Sequence, residues 1–506
     1  MSLIKKSGLR QPQAHITRRD FLRLAAAAAA LAACGRVAGQ SEIVMTAPVA
    51  AASPTETVAA PQAQHWLAAN RLMFGPKPGD IDHIAAIGLD AFIEEQLAHD
   101  KQDPAEAEKR IDAITGLRDT LTARPRELTD DKRQDIYQDI AQATLLRAVY
   151  NPAQLYELLV DFWSNHFNIL FQKNTGEYLK TSDDRDVIRP NALGKFRDLL
   201  GASAHSPAML VYLDNQSNRK GKPNENYARE LMELHTLGVD GGYTQADVQD
   251  VARALTGWSM VPVRFKGGQM QPGSDDVGTF VFRPRQHDDD AKRILGIDFP
   301  ASGGKADGER VLDILAKHPS AATFISLKMA RRFVSDQPPT AVIQLGAQAF
   351  AKSDGDLRAT LGAILHSAEF KQSAGQKLKR PLELIVGALR ATGAQTDGGK
   401  PISAALRGMG QPLFGWAAPN GYPDVAGAWL GSSLVLARWN FGMALGANTL
   451  KGTRIDIGAA NIDTLSTRLL GAALPQPARE ALQPFANDAA TLIGLLLSAP
   501  LFQVRG

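Results

Sequence analysis

Between Asn224 and Trp258 the chain reads NENYARELMELHTLGVDGGYTQADVQDVARALTGW, and its punctuation leaves few alternatives to two antiparallel helices. Asn224 is a good N-cap, because its side-chain oxygen can accept from a free amide of the first turn, and Glu225 complements the helix dipole there. Tyr227, Leu231 and Leu234 recur at helical spacing and predict a buried stripe. Gly238 can adopt the left-handed conformation that ends a helix. Asp240, Gly241 and Gly242 make a tight turn, and Thr244 with Asp247 has the spacing of a capping box. Val248, Val251, Ala252 and Leu255 give the second helix its apolar face. The unit is an αα-hairpin.

On a regular helix Asn226, Arg229, Glu230 and Glu233 share one side, and His235 points away from Asn226. Two readings of that side stand. Arg229 can pair with Glu225 and Glu233 at four-residue spacing on a solvated face. Alternatively, Glu230 and Glu233 face a polar cavity, where they bind a metal or move protons.

The same periodicity dominates the rest. Leu155, Leu158, Leu159, Phe162, His166, Ile169 and Leu170 follow a 3.6-residue repeat after Pro152, while Asp161, Asn165 and Asn168 occupy another side. His166 is either a satisfied core histidine or a ligand walled by Trp163 and Phe167. The charged stretch 106–133 predicts exposed peripheral helices. Alternation at Val261, Val263 and Phe265, resumed at 279–282, predicts a small β-hairpin around 259–284. It delivers His287 and Asp288, Asp289 and Asp290, which either cap a helix N-terminus or present carboxylates beside an imidazole. The fold class is mainly α: a multi-helix bundle of αα-hairpins with that inserted hairpin. The loop 410–429 is rich in Pro, Gly and aromatics. Trp416, Tyr422 and Trp429 could stack on sugar rings, but a stiff cover packed on its own domain is the preferred reading.

At the N-terminus Arg18 and Arg19, followed by Asp20, Phe21 and Leu22, resemble a twin-arginine export signal, and residues 31–34, Leu-Ala-Ala-Cys, resemble a lipobox. The expected organisation is a signal peptide over 1–33, then a lipidated Cys34 with a flexible tether over 34–64. Residues 65–506 come next as one helical domain, or as two packed subdomains divided near 300–320. Cys34 is the only cysteine, so no disulfide, cysteine nucleophile or cysteine zinc site is available within the chain. Six of the 56 bases and one of the 53 acids precede Cys34, leaving 50 against 52 and a formal net of −2. The basicity of the whole chain belongs to its export signal, and nothing argues for a nucleic-acid partner. Gly-x-Ser-x-Gly, His-Glu-x-x-His, a phosphate loop and the di-iron Glu-x-x-His are all missing.

Several motifs in order carry a resemblance. Residues 161–167 (DFWSNHF), 224–234 (NENYARELMEL) with Thr236, Leu237 and Gly238, and 254–258 (ALTGW) resemble the bacterial domain of unknown function 1800. His287-Asp288, residues 328–333 and 409–412 continue the likeness almost to the C-terminus. The resemblance implies an exported protein and a co-exported sulfatase-like partner, but no reaction. Two functions are therefore expected in parallel. One is a membrane-anchored, metal-dependent, hydrolase-like enzyme of the periplasm or cell envelope, acting on a small molecule or polymer. Its metal ligands would be His166, Glu230, Glu233 and His287, and its catalytic groups Glu230, Glu233 and Arg229. Imidazole with carboxylate suits Zn, Mn or Fe. The other is a non-catalytic scaffold, chaperone or partner of the sulfatase-like enzyme.

Overall fold

Apolar residues at helical spacing become helix along most of the chain, and the few strands come in two-stranded pairs. The computed structural model describes residues 61–128, 133–263, 265–266, 269–270, 276–456, 458 and 461–506. Arg18, Arg19 and Cys34 lie outside the described residues. Most of the stretch expected as a tether, 34–60, also lies outside them; helix α1 (Pro61–Arg71) begins at Pro61 and buries Leu67, Ala68 and Ala69 against the core.

Helix α2 (Gln154–His166) buries Leu155, Leu158, Leu159, Phe162 and His166, as its repeat requires. The stretch 106–133 is less peripheral than expected. Ile111, Leu117 and Leu121 build a satellite core with Ala143 and Leu146.

The hairpin anticipated at 224–255 forms, with one change. Helix α3 (Glu225–Glu230) opens under the Asn224 cap, whose side chain accepts from Asn226 N. The next six residues, Leu231–Thr236, widen into a π-helix in which Leu237 N donates to Met232 O at 2.7 Å. A π turn inserts one residue, rotating the later positions by about 100° relative to a regular helix. Leu234, expected inside, is therefore only half-buried, while Met232 and His235 are buried. Gly238 takes φ 80° and ends the run. The capping box of Thr244 and Asp247 then opens α4 (Gln245–Ala254), whose Val248, Val251 and Ala252 face the core.

Strand β1 (Trp258–Met260) is followed by β2 (Phe265–Lys266) and β3 (Gln269–Met270), which pair with each other. β1 itself pairs antiparallel with β4 (Phe280–Phe282), Ser259 opposite Val281, giving the inserted hairpin. The Asp triplet does not open a helix. It leads into a second hairpin, β5 (Lys292–Ile294) with β6 (Ile297–Phe299), where Asp288 instead pairs with Arg253 at 2.9 Å.

Helix α5 (Pro319–Phe333), then α6 (Ser432–Gly446) and α7 (Ala489–Ser498), complete the frame. One large cluster of buried apolar side chains runs from Leu67 to Phe502. Arg71, at the end of α1, donates to Arg505 O at 2.6 Å and to backbone oxygens of Phe333 and Val334, tying the start of the body to its end. Among the described residues no helix is long and apolar enough to cross a membrane.

Candidate functional site

The Asn224 motif divides into residues that hold the backbone and residues left without a partner. Asn218 Oδ1 accepts from Asn224 N at 2.9 Å, and Asn226 Nδ2 donates to Leu213 O at 3.1 Å. Arg229 turns away from the acids after it, donating to Glu225 at 3.1 Å and Gln245 at 2.9 Å. The expected Arg229–Glu233 pair is not made. Glu233 accepts a hydrogen bond from the Tyr243 hydroxyl at 3.4 Å. Glu230 is half-buried and has no hydrogen bond or ion pair among the described residues. Burial and then the neighbouring Glu233 push its carboxyl above the ordinary range, Arg229 offsetting only part. The Tyr243 phenol is pushed up by burial and by Glu233, and the Tyr212 phenol is pushed up to about 12 by burial with a contribution from Glu230. The result is a carboxylate pair at the entry to a π turn, Glu230 as its N-cap and Glu233 within it, and π turns recur at functional sites.

The histidines expected beside this pair have other partners. His166 is buried, and its Nε2 donates to the backbone oxygen of His235 at 3.0 Å. Trp163 and Phe167 wall its ring, with centroids 5.3 and 4.5 Å away. Burial, Lys328 and His235 hold its pKa well below the usual imidazole value. His235 is held at about 3, by burial and by Lys328. Both imidazoles are therefore neutral core groups at neutral pH. His287 donates from Nδ1 to Thr256 O at 2.8 Å, and its Nε2 lies 3.4 Å from Asp307 and 3.8 Å from Asp289. Lys292 binds the same Asp307 oxygen at 2.7 Å. His287 thus belongs to an ionic cluster beside the β-hairpins, and its carboxylate neighbours are Asp307 and Asp289. Among the described residues no group of three or more His, Cys, Asp or Glu is placed to hold a metal ion. Glu230 and Glu233 stay neighbours; His166 commits its Nε2 to the backbone of the same π-helix at His235 O, and His287 commits its Nδ1 to Thr256 O.

A second polar locus was only half legible. Glu157, Asp161, Ser164, Asn165 and Asn168 line a cleft along α2, over an apolar floor that includes Phe74, Val160 and Leu382. Its far wall is the aromatic loop. Asn165 donates to Tyr422 O at 2.9 Å and accepts from Tyr422 N at 2.7 Å, and Asn168 donates to Trp416 O and Ala418 O. The loop is clamped down as a stiff cover, with Trp416 packed on Tyr422 at a 4.9 Å centroid separation. Behind the cleft Asp161 pairs with Arg380 and, at 3.5 Å, with Arg332. Glu383 is surrounded by Arg332, Arg380 and Arg505, and these cations hold its carboxyl well below the usual range against the opposing effect of burial. The spacing of Asp161, Asn165 and Asn168 marked the face, but its partners, from Arg332 to Tyr422, lie more than 170 residues away.

No curated protein and no solved structure matches this chain. The family model described as Protein of unknown function (DUF1800) matches residues 67–504, which include the α2, Asn224 and aromatic-loop motifs that build both loci. The chain therefore belongs to the DUF1800 family.

Proposed function

We propose that the chain is a cell-envelope protein, exported by the twin-arginine route and anchored through a lipidated Cys34, and that it is a hydrolase-like enzyme working by proton transfer at Glu230 and Glu233. One observation supports the site above the others: among the described residues this half-buried pair makes no ion pair, although Arg229 lies beside it and is engaged with Glu225 and Gln245. An isolated pair of this kind is poorly explained as a structural ion network.

In this reading Glu230, kept protonated above the ordinary glutamate range, donates to the leaving group. Glu233, oriented by the Tyr243 hydroxyl, takes the proton of the attacking water. Two carboxylates in unlike surroundings divide the acid and base roles in this way. Arg229 acts as a positioning residue through the first turn of α3. A resident Zn, Mn or Fe is not carried forward, because the imidazoles that would complete its ligand set face other groups.

The test is turnover of chromogenic esters, phosphate esters and glycosides by the purified chain, with Glu230→Gln and Glu233→Gln alongside. General acid–base groups contribute about 10²–10⁴-fold, so each variant is expected to lose at least about 100-fold while melting as a folded protein. Activity should fall with rising pH above the ordinary glutamate range. Undiminished turnover in Glu230→Gln, or no turnover of any class by folded protein, removes the enzyme reading.

A second reading has its own support. Asn165, Asn168, Asn218, Asn224 and Asn226 all bind backbone, so much of the family motif is architecture. This suits a non-catalytic partner of a co-exported sulfatase-like enzyme. It predicts co-purification with that enzyme and unchanged partner activity in both glutamine variants.

A further inference from the structure

Helix α6 buries only one side. Phe441, Leu445 and Arg438 face inward, and Gly442 and Gly446 let α7 approach so closely that an added Cβ would meet Gly494, Ala490 or Ser498. Arg438, the only charged residue between 425 and 440, is buried and donates to Lys379 O and Gln503 Oε1. Leu436 turns the opposite way and is 58% exposed, with Trp439 one turn along at 39%. The segment leading into the helix adds Leu430 at 51% and Val425 at 37%. Half of the large apolar side chains exposed among the described residues fall in this one stretch. A solvated helix face ordinarily carries charged residues, and clustered large apolar ones mark a contact surface.

We propose that this face rests in the surface of a lipid bilayer and seats the body on the membrane to which Cys34 is anchored. The inference depends on the export and lipidation part of the proposed function, and not on Glu230 or Glu233. Three observations favour a bilayer over a protein. The exposed residues of 430–440 are Leu, Gly, Ser, Trp and Asn, with no outward charge to set the register of a protein partner. Exposed Trp beside Leu is the composition that settles at the headgroup boundary. The anchor also reaches: 26 residues lie between Cys34 and Pro61, a contour of about 90–97 Å at 3.3–3.6 Å per residue step. Trp66 of α1 packs at Gly471, the end of helix Ile462–Leu470, which in turn packs on α7. Two packed helices, Ile462–Leu470 and α7, therefore link the point where the chain enters the body to α6.

The experiment is flotation of the full chain carrying Cys34→Ala, so that no lipid is attached, with vesicles of phosphatidylethanolamine and phosphatidylglycerol. Binding is expected, and Leu436→Asp with Trp439→Asp should weaken it at least about tenfold with no loss of melting temperature. Leu436→Ala with Trp439→Ala gives a milder check of the same face. No flotation, equal flotation of the double variants, or binding abolished by salt alone would overturn the proposal. So would light scattering that shows a dimer dispersed by the double variant, since a second copy would then be the occupant. Mass spectrometry of Cys34 in the natively exported protein tests the anchor separately.

Discussion

Two acidic loci in this protein are built on opposite terms. At the clasp behind the cleft, Glu383 is buried among Arg332, Arg380 and Arg505, half-buried Asp161 pairs with Arg332 and Arg380, and Asp424 is held at about 2 against desolvation, chiefly by Lys377 and Arg332. At the start of the π turn, Glu230 and Glu233 are half-buried, yet among the described residues neither makes an ion pair. Burial at the clasp is offset by charge; at the pair it is left standing and shows as a raised Glu230 carboxyl. Desolvation without compensation is costly for stability, which is why such pairs point to chemistry and compensated ones to architecture.

The sharpest way to break this contrast is at its structural end. Glu383→Gln leaves three guanidinium groups around a neutral side chain and should cost about 3–5 kcal/mol in chemical denaturation. An equal loss in Glu233→Gln would erase the distinction. Next in size, Asn165→Ala strips both hydrogen bonds from the Tyr422 backbone and should cost about 1–3 kcal/mol and loosen the loop to proteolysis. His235→Phe should be neutral or stabilising, by up to about 1 kcal/mol. Among the described residues both ring nitrogens lack hydrogen-bond partners, and the site is already lined by Phe167 and Tyr227.

The smallest effect has the most specific sign. A carboxyl raised on folding contributes stability below its unfolded pKa of about 4.3 and loses it as pH climbs through the folded value. Glu230→Gln should therefore melt higher than the parent at neutral pH, and the difference should close in acid. A parent that melts higher at neutral pH would mean that Glu230 is compensated after all.

Helix content, the capping box at Thr244 and the glycine stop at Gly238 were legible because each depends on residues close in sequence. The inserted hairpin was legible from alternation, whereas β5 and β6 were hidden behind three aspartates that read equally well as a helix cap. The π turn was not legible, and it moved the site. Regular helical spacing placed Leu234 inside and took Arg229 to Glu233; the inserted residue turned Leu234 out and His235 in. For His166 and His287 the imidazoles were real and buried, but backbone carbonyls of His235 and Thr256, invisible to any spacing rule, already occupied one nitrogen of each.

Acid–base chemistry on the π turn depends on the protonation of one side chain. The direct measurement is a pH titration of the Glu230 carboxyl, monitored by carbon-13 NMR on glutamate-labelled protein and assigned with Glu230→Gln. The expected result is a midpoint above the ordinary glutamate value that falls when Glu233 is changed to Gln, since burial and Glu233 both raise it. A midpoint in the ordinary range, unmoved by Glu233→Gln, would contradict the acid–base pair and leave the second, non-catalytic reading in its place.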